Sequence, residues 1–161
     1  MGIRITTGNL DHLEQCHQLL TDSELGKVYF SQKNPYRMLS RALADQEIFV
    51  AKSGEEQCIG FLWVEVNGTF GKYPYLHMLV VDRKFQGQGI GKQLMVYLEE
   101  VISTGYSKIF LLVGDFNRGA REFYSKLGYQ SIGLLPDFYV PGVNEYLLMK
   151  ERNEEEKDPN G

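Results

Sequence analysis

The sequence predicts an α/β domain whose mixed central sheet of about six to seven strands is flanked by about four helices. Apolar runs rich in β-forming residues alternate along the chain with stretches whose apolar residues recur at helical spacing. The early strands follow one another through short turns, which predicts antiparallel pairing, whereas a helix separates later strands. The chain has 161 residues, a length that suits one domain, and we expect that domain over residues 1–150.

Each element of the first half has its own signal. Asn9 is a suitable N-cap for a helix whose apolar residues share one stripe, and Pro35 precedes a second, shorter helix. The letters GEE separate two strand-like runs, which predicts a β-hairpin. The predicted elements are an edge strand over 3–6, helices over 9–23 and 36–45, and strands over 47–53, 57–67 and 73–82.

The second half predicts alternating helices and strands. Gly89 stands at the start of a helix that ends near Gly105, because glycine there is a good stop signal. A further helix begins with Asn117 and ends with Gly128. The predicted elements are helices over 89–104 and 117–128 and strands over 107–114, 129–135 and 143–150, the last two joined by PDFYVPG.

The charge of the chain limits its partners. The formal net charge is −4 at pH 7, which argues against nucleic acid bound through a broad basic surface. The last eleven residues, ERNEEEKDPNG, hold five acids and two bases, so we expect residues 151–161 to form a solvated, disordered tail. The sequence has no apolar run of about 18 residues, and we expect no membrane partner.

The cysteines and histidines predict neither a disulfide nor a metal cofactor. Cys16 and Cys58 lack a paired spacing, which is typical of a reducing cytoplasm. The three histidines form no metal-ligand cluster with them. The N-terminal residues lack the basic-then-apolar order of a secretory signal, and we predict a cytoplasmic location. The sequence leaves open whether the protein is a monomer or a homodimer.

The stretch DRKFQGQGIGKQL (82–94) gives a local signal for a ligand. Its three glycines stand where a strand-like run gives way to a helix. The first turn of a helix presents unsatisfied N–H groups and the positive end of the helix dipole, and glycines remove the Cβ atoms that would block an anion. The pattern predicts a phosphate cradle. It matches neither a Walker loop nor the dinucleotide fingerprint, and a purely structural turn is the alternative.

Two spaced motifs resemble one enzyme family. QGQGIG (86–91) resembles the acyl-CoA loop of the Gcn5-related N-acetyltransferases, and it follows LVVD (79–82), which is similar to the strand before that loop. NRGAREFYSKLGY (117–129) resembles the second signature of the family: Asn, then Ala, then aromatic-Tyr, then Gly-aromatic. The resemblance covers roughly residues 3–150. It implies the family's fold, in which the strand that carries LVVD splays from its parallel neighbour.

The resemblance implies an acetyl-CoA-dependent N-acetyltransferase. Acetyl-CoA would be the co-substrate, and the acceptor would be a primary amine of a small molecule or of an exposed peptide. Lys92 is also interpreted as a solvated helix residue, and Asn117 as a helix cap. By similarity, the cofactor-binding residues are the main chain of Leu79, Val80 and Val81 for the pantetheine arm and thioester, the backbone of Gln86, Gly87, Gln88, Gly89, Ile90 and Gly91 for the pyrophosphate, and in addition Lys92 and Asn117.

The family's general-acid position falls on Tyr124. A phenol of pKa about 10 can protonate the CoA thiolate as it departs. The alternative is a core tyrosine. Ala120, Phe123 and Leu127 lie at helical spacing and predict the buried face of this helix, which Tyr124 need not share.

The base that deprotonates the amine is less clearly marked. His77 lies at the place of the family's base, on the same strand face as Leu79 and Val81. A neutral imidazole can accept the proton, and a structural histidine is the alternative. Glu65, on the neighbouring strand, is the reserve candidate.

The acceptor region departs from the peptide-acetylating members of the family. They usually carry L-E-V-R on the strand before the Asn motif, whereas this chain has LLVG with Leu112 at the place of the acid. PDFYVPGVNEY (136–146) is nevertheless similar to their aromatic loop. A CoA-binding sensor without turnover and an unrelated nucleotide-binding α/β protein stay open as other classes. The candidates for recognising a cationic amine are Asp137, Tyr139 and Glu145 in this loop, and Tyr29, Phe30 and Tyr36 near the second helix.

Overall fold

The computed structural model describes residues 2–54 and 56–153. The strands are β1 (Ile3–Thr7), β2 (Ile48–Ser53), β3 (Gln57–Thr69), β4 (Tyr73–Val81), β5 (Lys108–Gly114), β6 (Gln130–Leu135) and β7 (Glu145–Glu151). The α-helices in the described residues are α1 (Leu13–Asp22), α2 (Glu24–Tyr29), α3 (Tyr36–Ala44), α4 (Ile90–Tyr97) and α5 (Arg118–Lys126). The seven strands form one sheet in the order β1-β2-β3-β4-β5-β7-β6. The predicted α/β class with a mixed sheet is confirmed.

The chain divides into two compact units. Unit 1 comprises Met1–Val64 and Met78–Val101, and unit 2 comprises Glu65–His77 and Ile102–Gly161. In unit 1, β1 pairs antiparallel with β2, and β2 pairs antiparallel with β3. This pairing confirms the predicted hairpin, and the strand order confirms that the first strand lies at the sheet edge.

The core of unit 1 is an apolar cluster to which helices and strands both contribute. The amphipathic stripes of α1 and α3 supply the helical part, as their spacing predicts. Removing this surface from water is the main favourable term in folding. The buried members are Leu13, Cys16, Leu20, Leu39, Ala42, Leu43, Ile48, Val50, Cys58, Phe61 and Val80.

The helical region after β1 differs from its prediction. Asn9 caps a short 3₁₀ turn, because its side chain accepts from the Asp11 N–H at 2.9 Å. The predicted helix then ends at Ser23, whose side chain accepts from the Gly26 N–H at 3.1 Å and so starts α2. The sequence did not predict α2, and the structure therefore has five α-helices in its described residues where about four were expected.

The helix predicted from Gly89 to Thr104 is split. Its α-helical part is α4, and a π-helical segment, Leu98–Ile102, follows directly. The helical segment therefore continues beyond α4 with hydrogen bonds of the i→i+5 type in place of the i→i+4 type.

Unit 2 contains the crossover that makes the sheet mixed. Here β4 and β5 run parallel, with Tyr75 opposite Phe110 and Leu76 opposite Leu111. This parallel pair lies at the splay of the fold. In the same unit β5 and β6 both pair antiparallel with β7, and the register of β6 shifts near Gly133.

The end of the described chain is tied to unit 2. Arg152 Nη1 donates to the carbonyl oxygens of Ser103 at 2.7 Å and Tyr106 at 3.2 Å. Most of the predicted tail, residues 154–161, lies outside the described residues, and the single domain over 1–150 stays a prediction. Among the described residues, no helix has both the length and the apolar character needed to cross a membrane.

Candidate functional site

The glutamines of the glycine loop fold back onto the chain that precedes them. Gln86 Nε2 donates to the Val81 carbonyl oxygen at 3.3 Å, and Gln88 Nε2 donates to the Lys84 carbonyl oxygen at 3.4 Å. Asp82 Oδ1 accepts from the Lys84 N–H at 3.0 Å and caps the 3₁₀ turn Arg83–Phe85, which precedes Gln86. These bonds hold the loop in a defined shape while its first two glycines remain exposed.

Those two glycines have left-handed backbone conformations. Gly87 has φ +78° and Gly89 has φ +83°, values that L side chains rarely adopt. A Cβ atom built on either glycine meets no other atom within 4 Å. The protein therefore leaves the space in front of both residues open, so crowding by the rest of the chain does not explain them.

The same loop presents the first turn of α4. Gly89 is the N-cap residue and no side chain caps the helix, which begins at Ile90. An α-helix has no intrahelical acceptor for its first N–H groups, and its dipole is positive at this end. Lys92, within the first turn of the helix, is exposed. Backbone donors, a positive helix end and open space together fit a negatively charged group such as a diphosphate.

The end of β4 leads into this loop and is fixed against β3. The Asp82 N–H donates to the Ile59 carbonyl oxygen at 2.8 Å. A Cβ atom on Gly60 would lie 2.8 Å from the Val80 carbonyl oxygen, so glycine permits the close approach of the two strands. Val80 is buried, whereas Leu79 and Val81 are half-buried. The end of the predicted pantetheine-binding strand is therefore held firmly in place.

In unit 2 the two candidate bases lie together. His77 Nε2 is 2.6 Å from Glu65 Oε1, and the side chains are 22% and 41% exposed. An ionised carboxylate can only accept, so in the neutral imidazole Nε2 carries the proton and Nδ1 holds the lone pair. From the sequence, His77 and Glu65 are alternatives for one role, and the structure joins them in one hydrogen bond.

A tyrosine that the sequence analysis missed lies beside this pair. The Tyr75 ring contacts the His77 ring edge-on, with centroids 4.6 Å apart. The Tyr75 and Tyr139 hydroxyl oxygens are 2.7 Å apart. Partial burial and the charge of Glu145 raise the pKa of Tyr139, and the bond to Tyr75 opposes this shift. Tyr75 and His77 share a strand face at a spacing of two, which is the signal that could have identified Tyr75.

The other candidates of the β6–β7 loop serve the loop itself. Asp137 Oδ1 accepts from the Gly142 N–H at 2.7 Å, and Asn144 Oδ1 accepts from the Asp137 N–H at 3.1 Å. Glu145 is 2% exposed and begins β7. Of the three recognition residues predicted in this loop, Tyr139 is 48% exposed, and its hydroxyl lies against that of Tyr75.

The aromatic candidates of unit 1 take part in packing. The Tyr36 hydroxyl donates to Glu14 Oε1 at 3.3 Å, and the Tyr36 ring lies edge-on to His17. Phe30 packs against the unit 1 core, and Tyr29 ends α2. The contacts of Tyr36 and Phe30 account for these residues without a ligand.

Tyr124 is the buried residue of α5. Its exposure is 7%, and its ring lies edge-on to Phe123 and Tyr129 with centroids 5.1 and 5.8 Å away. Ala120, Phe123 and Leu127, which were predicted to form the buried face of this helix, are only half-buried, and Tyr124 takes the buried position. Burial raises the pKa of the Tyr124 phenol, because a phenolate would lose its hydration. Tyr124 therefore stays protonated, as a proton donor must.

Asn117 caps α5, as expected. Its Oδ1 accepts from the Ala120 N–H at 3.1 Å and satisfies one donor of the first helical turn. On the strand before it, Leu112 pairs with Leu147, so the place of the family acid is filled by an apolar cross-strand contact.

Comparison with known proteins gives one consistent group. The family model described as Acetyltransferase (GNAT) family matches residues 13–129. The N-alpha-acetyltransferase RimI of Mycobacterium tuberculosis is 28% identical over 95 residues, or 58% of this chain and 59% of that protein. Blasticidin-S acetyltransferase of Streptomyces morookaense is 32% identical over 82 residues, or 50% of this chain and 60% of that protein.

Solved structures share the fold. Arabidopsis thaliana Naa50 in complex with the bisubstrate analogue CoA-Ac-MVNAL has a TM-score of 0.73 at 20% identity and covers 94% of this chain and 100% of its own. This chain spans about three fifths of the length of the two curated relatives. The family model matches most of the chain and includes the glycine loop, β4, β5 and α5. The chain belongs to the Acetyltransferase (GNAT) family.

Proposed function

We propose that the protein transfers the acetyl group of acetyl-CoA to a primary amine of a small molecule or of an exposed peptide. The observation that carries this proposal is the pair of left-handed, unobstructed glycines at the uncapped start of α4. Family membership supports it, and so do the curated relatives that bear acetyltransferase names. The complex of Naa50 with a CoA-containing bisubstrate analogue supports acetyl-CoA as the co-substrate.

The backbone has the binding role in this proposal. The N–H groups from Gln86 to Gly91 hold the diphosphate, and Lys92 adds a positive charge at its edge. The main chain of Leu79–Val81 binds the pantetheine arm and the thioester. Asn117 keeps its cap and contributes a contact to pantetheine. Acetyl-CoA supplies the activated carbonyl, and the chain positions it.

Tyr124 acts as the general acid. The amine nitrogen bonds to the thioester carbon, the C–S bond breaks, and the electron pair of that bond leaves with the sulfur. Tyr124 donates its hydroxyl proton to this thiolate. A free thiol of pKa about 8.5 is a modest leaving group, and protonation during departure lowers the barrier. Burial keeps the proton on the Tyr124 oxygen until the departing thiolate takes it, and it also makes this phenol a weaker acid than a solvent-exposed one.

His77 acts as the base, and Glu65 positions it. With Nε2–H bonded to Glu65, the lone pair of Nδ1 accepts the proton that the attacking amine loses. The carboxylate then stabilises the imidazolium that forms. The 2.6 Å contact between the two residues supports this division of roles.

The amine acceptor is recognised by the aromatic residues next to this pair. Tyr139 is 48% exposed and bonded through its hydroxyl to Tyr75, so both rings are held in place. Aromatic faces attract alkylammonium groups, and hydroxyls accept hydrogen bonds from them. Leu112 stands where peptide-acetylating members carry an acid. We therefore favour small amines over ribosomal-protein N-termini as the acceptors. A cytoplasmic location and a monomer or homodimer remain predictions.

An acceptor screen tests the proposal. The full chain is incubated with acetyl-CoA and a panel of amines and short peptides, and release of free thiol is followed with an aromatic disulfide reagent. We expect thiol release with some acceptors, together with a mass gain of about 42 Da on the acceptor. Tight CoA binding in calorimetry with no thiol release from any acceptor would instead indicate a sensor. Preference for ATP or NAD over CoA would indicate a nucleotide-binding protein.

A further inference from the structure

His12 is a buried histidine that the acetyl transfer proposed above does not use. It is 5% exposed and ends the 3₁₀ turn Leu10–His12, which joins β1 to α1. The Asn9 backbone N–H donates to His12 Nδ1 at 3.0 Å. The Asn9 side chain accepts in return from the backbone of the turn, so the two residues form a capping box. In the usual capping box the second side chain is Glu or Gln, whereas here it is an imidazole.

The hydrogen bond from Asn9 fixes the protonation state of the His12 ring. A ring nitrogen accepts a hydrogen bond only through its lone pair, so Nδ1 is unprotonated and Nε2 carries the proton of the neutral ring. The imidazolium form has a proton on both nitrogens and no lone pair on either. Rotation of the ring does not restore an acceptor, because it only turns the other N–H towards Asn9. Protonation of His12 is therefore incompatible with the capping box.

The charges around His12 also oppose its protonation. Burial lowers the pKa of His12 from its usual value of 6.5, and the Lys52 ammonium lowers it further. Asp11 and Glu56 favour the charged ring, but their effects are smaller. Lys52 on β2 is 8% exposed, whereas the side chain of Glu56, 3.4 Å away from it, is 80% exposed. Helix α3 also packs against the turn and contributes none of these charges.

The chain is fixed on both sides of the turn. The N–H of Gly8, directly after β1, donates to the Ile48 carbonyl oxygen on β2 at 2.7 Å. Leu13, the first residue of α1, is buried in the core of unit 1. The capping box holds the short segment that connects these two points. Loss of the bond from Asn9 to His12 would therefore free the start of α1 where the helix joins the sheet.

We propose that the Asn9–His12 capping box is a pH-sensitive latch on the start of α1. The latch is closed when His12 is neutral, and it opens when Nδ1 takes up a proton. The open turn binds this proton more tightly than the closed turn, because closure requires the Nδ1 lone pair. The stability that the latch contributes is therefore fully present above pH 6.5 and is lost as the pH falls through the lowered pKa of His12 in the folded protein.

Hydrogen exchange of the Asn9 amide in the full chain tests the latch. We expect the protection factor of this amide, corrected for the intrinsic exchange rate, to be at least about fivefold lower at about pH 5 than at about pH 7.5. An equal protection factor at the two pH values would overturn the proposal. Because the readout is local to the turn, it stands or fails separately from acetyl transfer and from the titration of His77.

The variant His12→Gln gives the sharpest comparison. Glutamine is a usual acceptor at this position of a capping box and does not titrate, so the Asn9 amide should keep its protection at both pH values. His17→Gln, on α1, replaces a different histidine and should keep the pH dependence of the wild-type chain. If the Asn9 amide of His12→Gln loses as much protection at about pH 5 as that of the wild type, another group opens the turn and the proposal is wrong.

A measurement on the His12 ring needs no variant. In nitrogen-15 NMR of the wild-type chain, His12 should be the Nε2–H tautomer at about pH 7.5, and it should titrate with a midpoint below pH 6.5. The Nδ1–H tautomer, or a midpoint above pH 6.5, would contradict the latch. This result decides the proposal even if His12→Gln fails to fold.

Discussion

The Gln86–Gly91 loop and the α5 tyrosine show two opposite ways in which this chain prepares for chemistry. Most of the loop is exposed, and its key residues have no side chain to offer, so it presents peptide nitrogens and open space. Tyr124 is buried beside Phe123 and Tyr129. It contributes a side chain, and the surroundings of that side chain keep the proton on its oxygen. Adding atoms to the loop should weaken its binding of CoA, whereas removing one oxygen atom from Tyr124 should remove its ability to donate a proton.

The greatest loss is expected where atoms are added to the loop. Gly89→Val forces a β-branched residue to φ +83° and places methyl groups in the space proposed for the diphosphate. Loss of several charge-assisted backbone hydrogen bonds should weaken CoA binding on the order of 100-fold. Calorimetric titration with CoA measures this change.

Gly71 provides a matched control for the loop. It has φ +70°, open space around its Cβ position, and a place in the β3–β4 turn. Gly71→Val should lower thermal stability to a similar extent while CoA affinity stays within about twofold of wild type. Equal loss of affinity in both variants would mean that strain, and not the blocked cradle, explains the Gly89 result.

The next effect is expected where one oxygen is removed from α5. Tyr124→Phe keeps the buried ring and deletes the proton donor, so kcat for thiol release should fall at least about tenfold while CoA affinity is unchanged. Tyr129→Phe removes a hydroxyl from the neighbouring buried ring and should leave kcat close to wild type. If the two variants have the same rate, Tyr124 is a core residue and nothing more.

The His77–Glu65 pair should show itself in the pH dependence of the rate. His77→Ala should remove the acidic limb of the pH–rate profile, because an imidazole base is lost when it becomes protonated. Glu65→Gln should move this limb to lower pH, because the carboxylate no longer stabilises the charged imidazolium. His17→Ala, on α1, is the control and should leave the profile unchanged. An intact acidic limb in His77→Ala would exclude His77 as the base.

The mildest effect concerns a residue with two proposed roles. Asn117→Ala removes the cap of α5 and should lower the free energy of unfolding by about 1 kcal/mol. Asn117→Ser restores a capping oxygen and should recover most of that loss in chemical denaturation. If the KM for acetyl-CoA stays raised in the serine variant, Asn117 also contacts the cofactor. A KM that recovers together with stability would reduce its role to capping.

The parts of the fold that have short-range signals could be predicted from the sequence. Alternation, helical spacing and glycine stops located every described strand to within a few residues, and they located four of the five described α-helices, although α4 ends at Tyr97 and not near Gly105. The prediction missed α2 because Gly26 lowers helix propensity. That glycine is required by packing, since a Cβ there would lie 2.1 Å from the Leu20 carbonyl oxygen. A tertiary contact of this kind leaves no mark in local periodicity.

The candidate site could likewise be predicted only where a short-range sequence signal marks its residues. The glycine loop and Asn117 were found because spacing alone places them at helix starts. The contact between His77 and Glu65 and the bond between Tyr75 and Tyr139 depend on how the strands pair and on the path of a loop. The buried face of α5 was assigned wrongly, because adjacent residues on a helix can exchange core and surface roles once the neighbouring strands are in place.

Amide NMR of the loop, during titration with CoA and separately with pantetheine, decides whether the backbone grips the diphosphate, since pantetheine lacks that group. If peptide nitrogens hold the diphosphate, the N–H signals of Gly89, Ile90 and Gly91 should move strongly downfield with CoA and hardly move with pantetheine. Loop signals that stay in place with saturating CoA, or that respond equally to pantetheine, would contradict the proposed cradle.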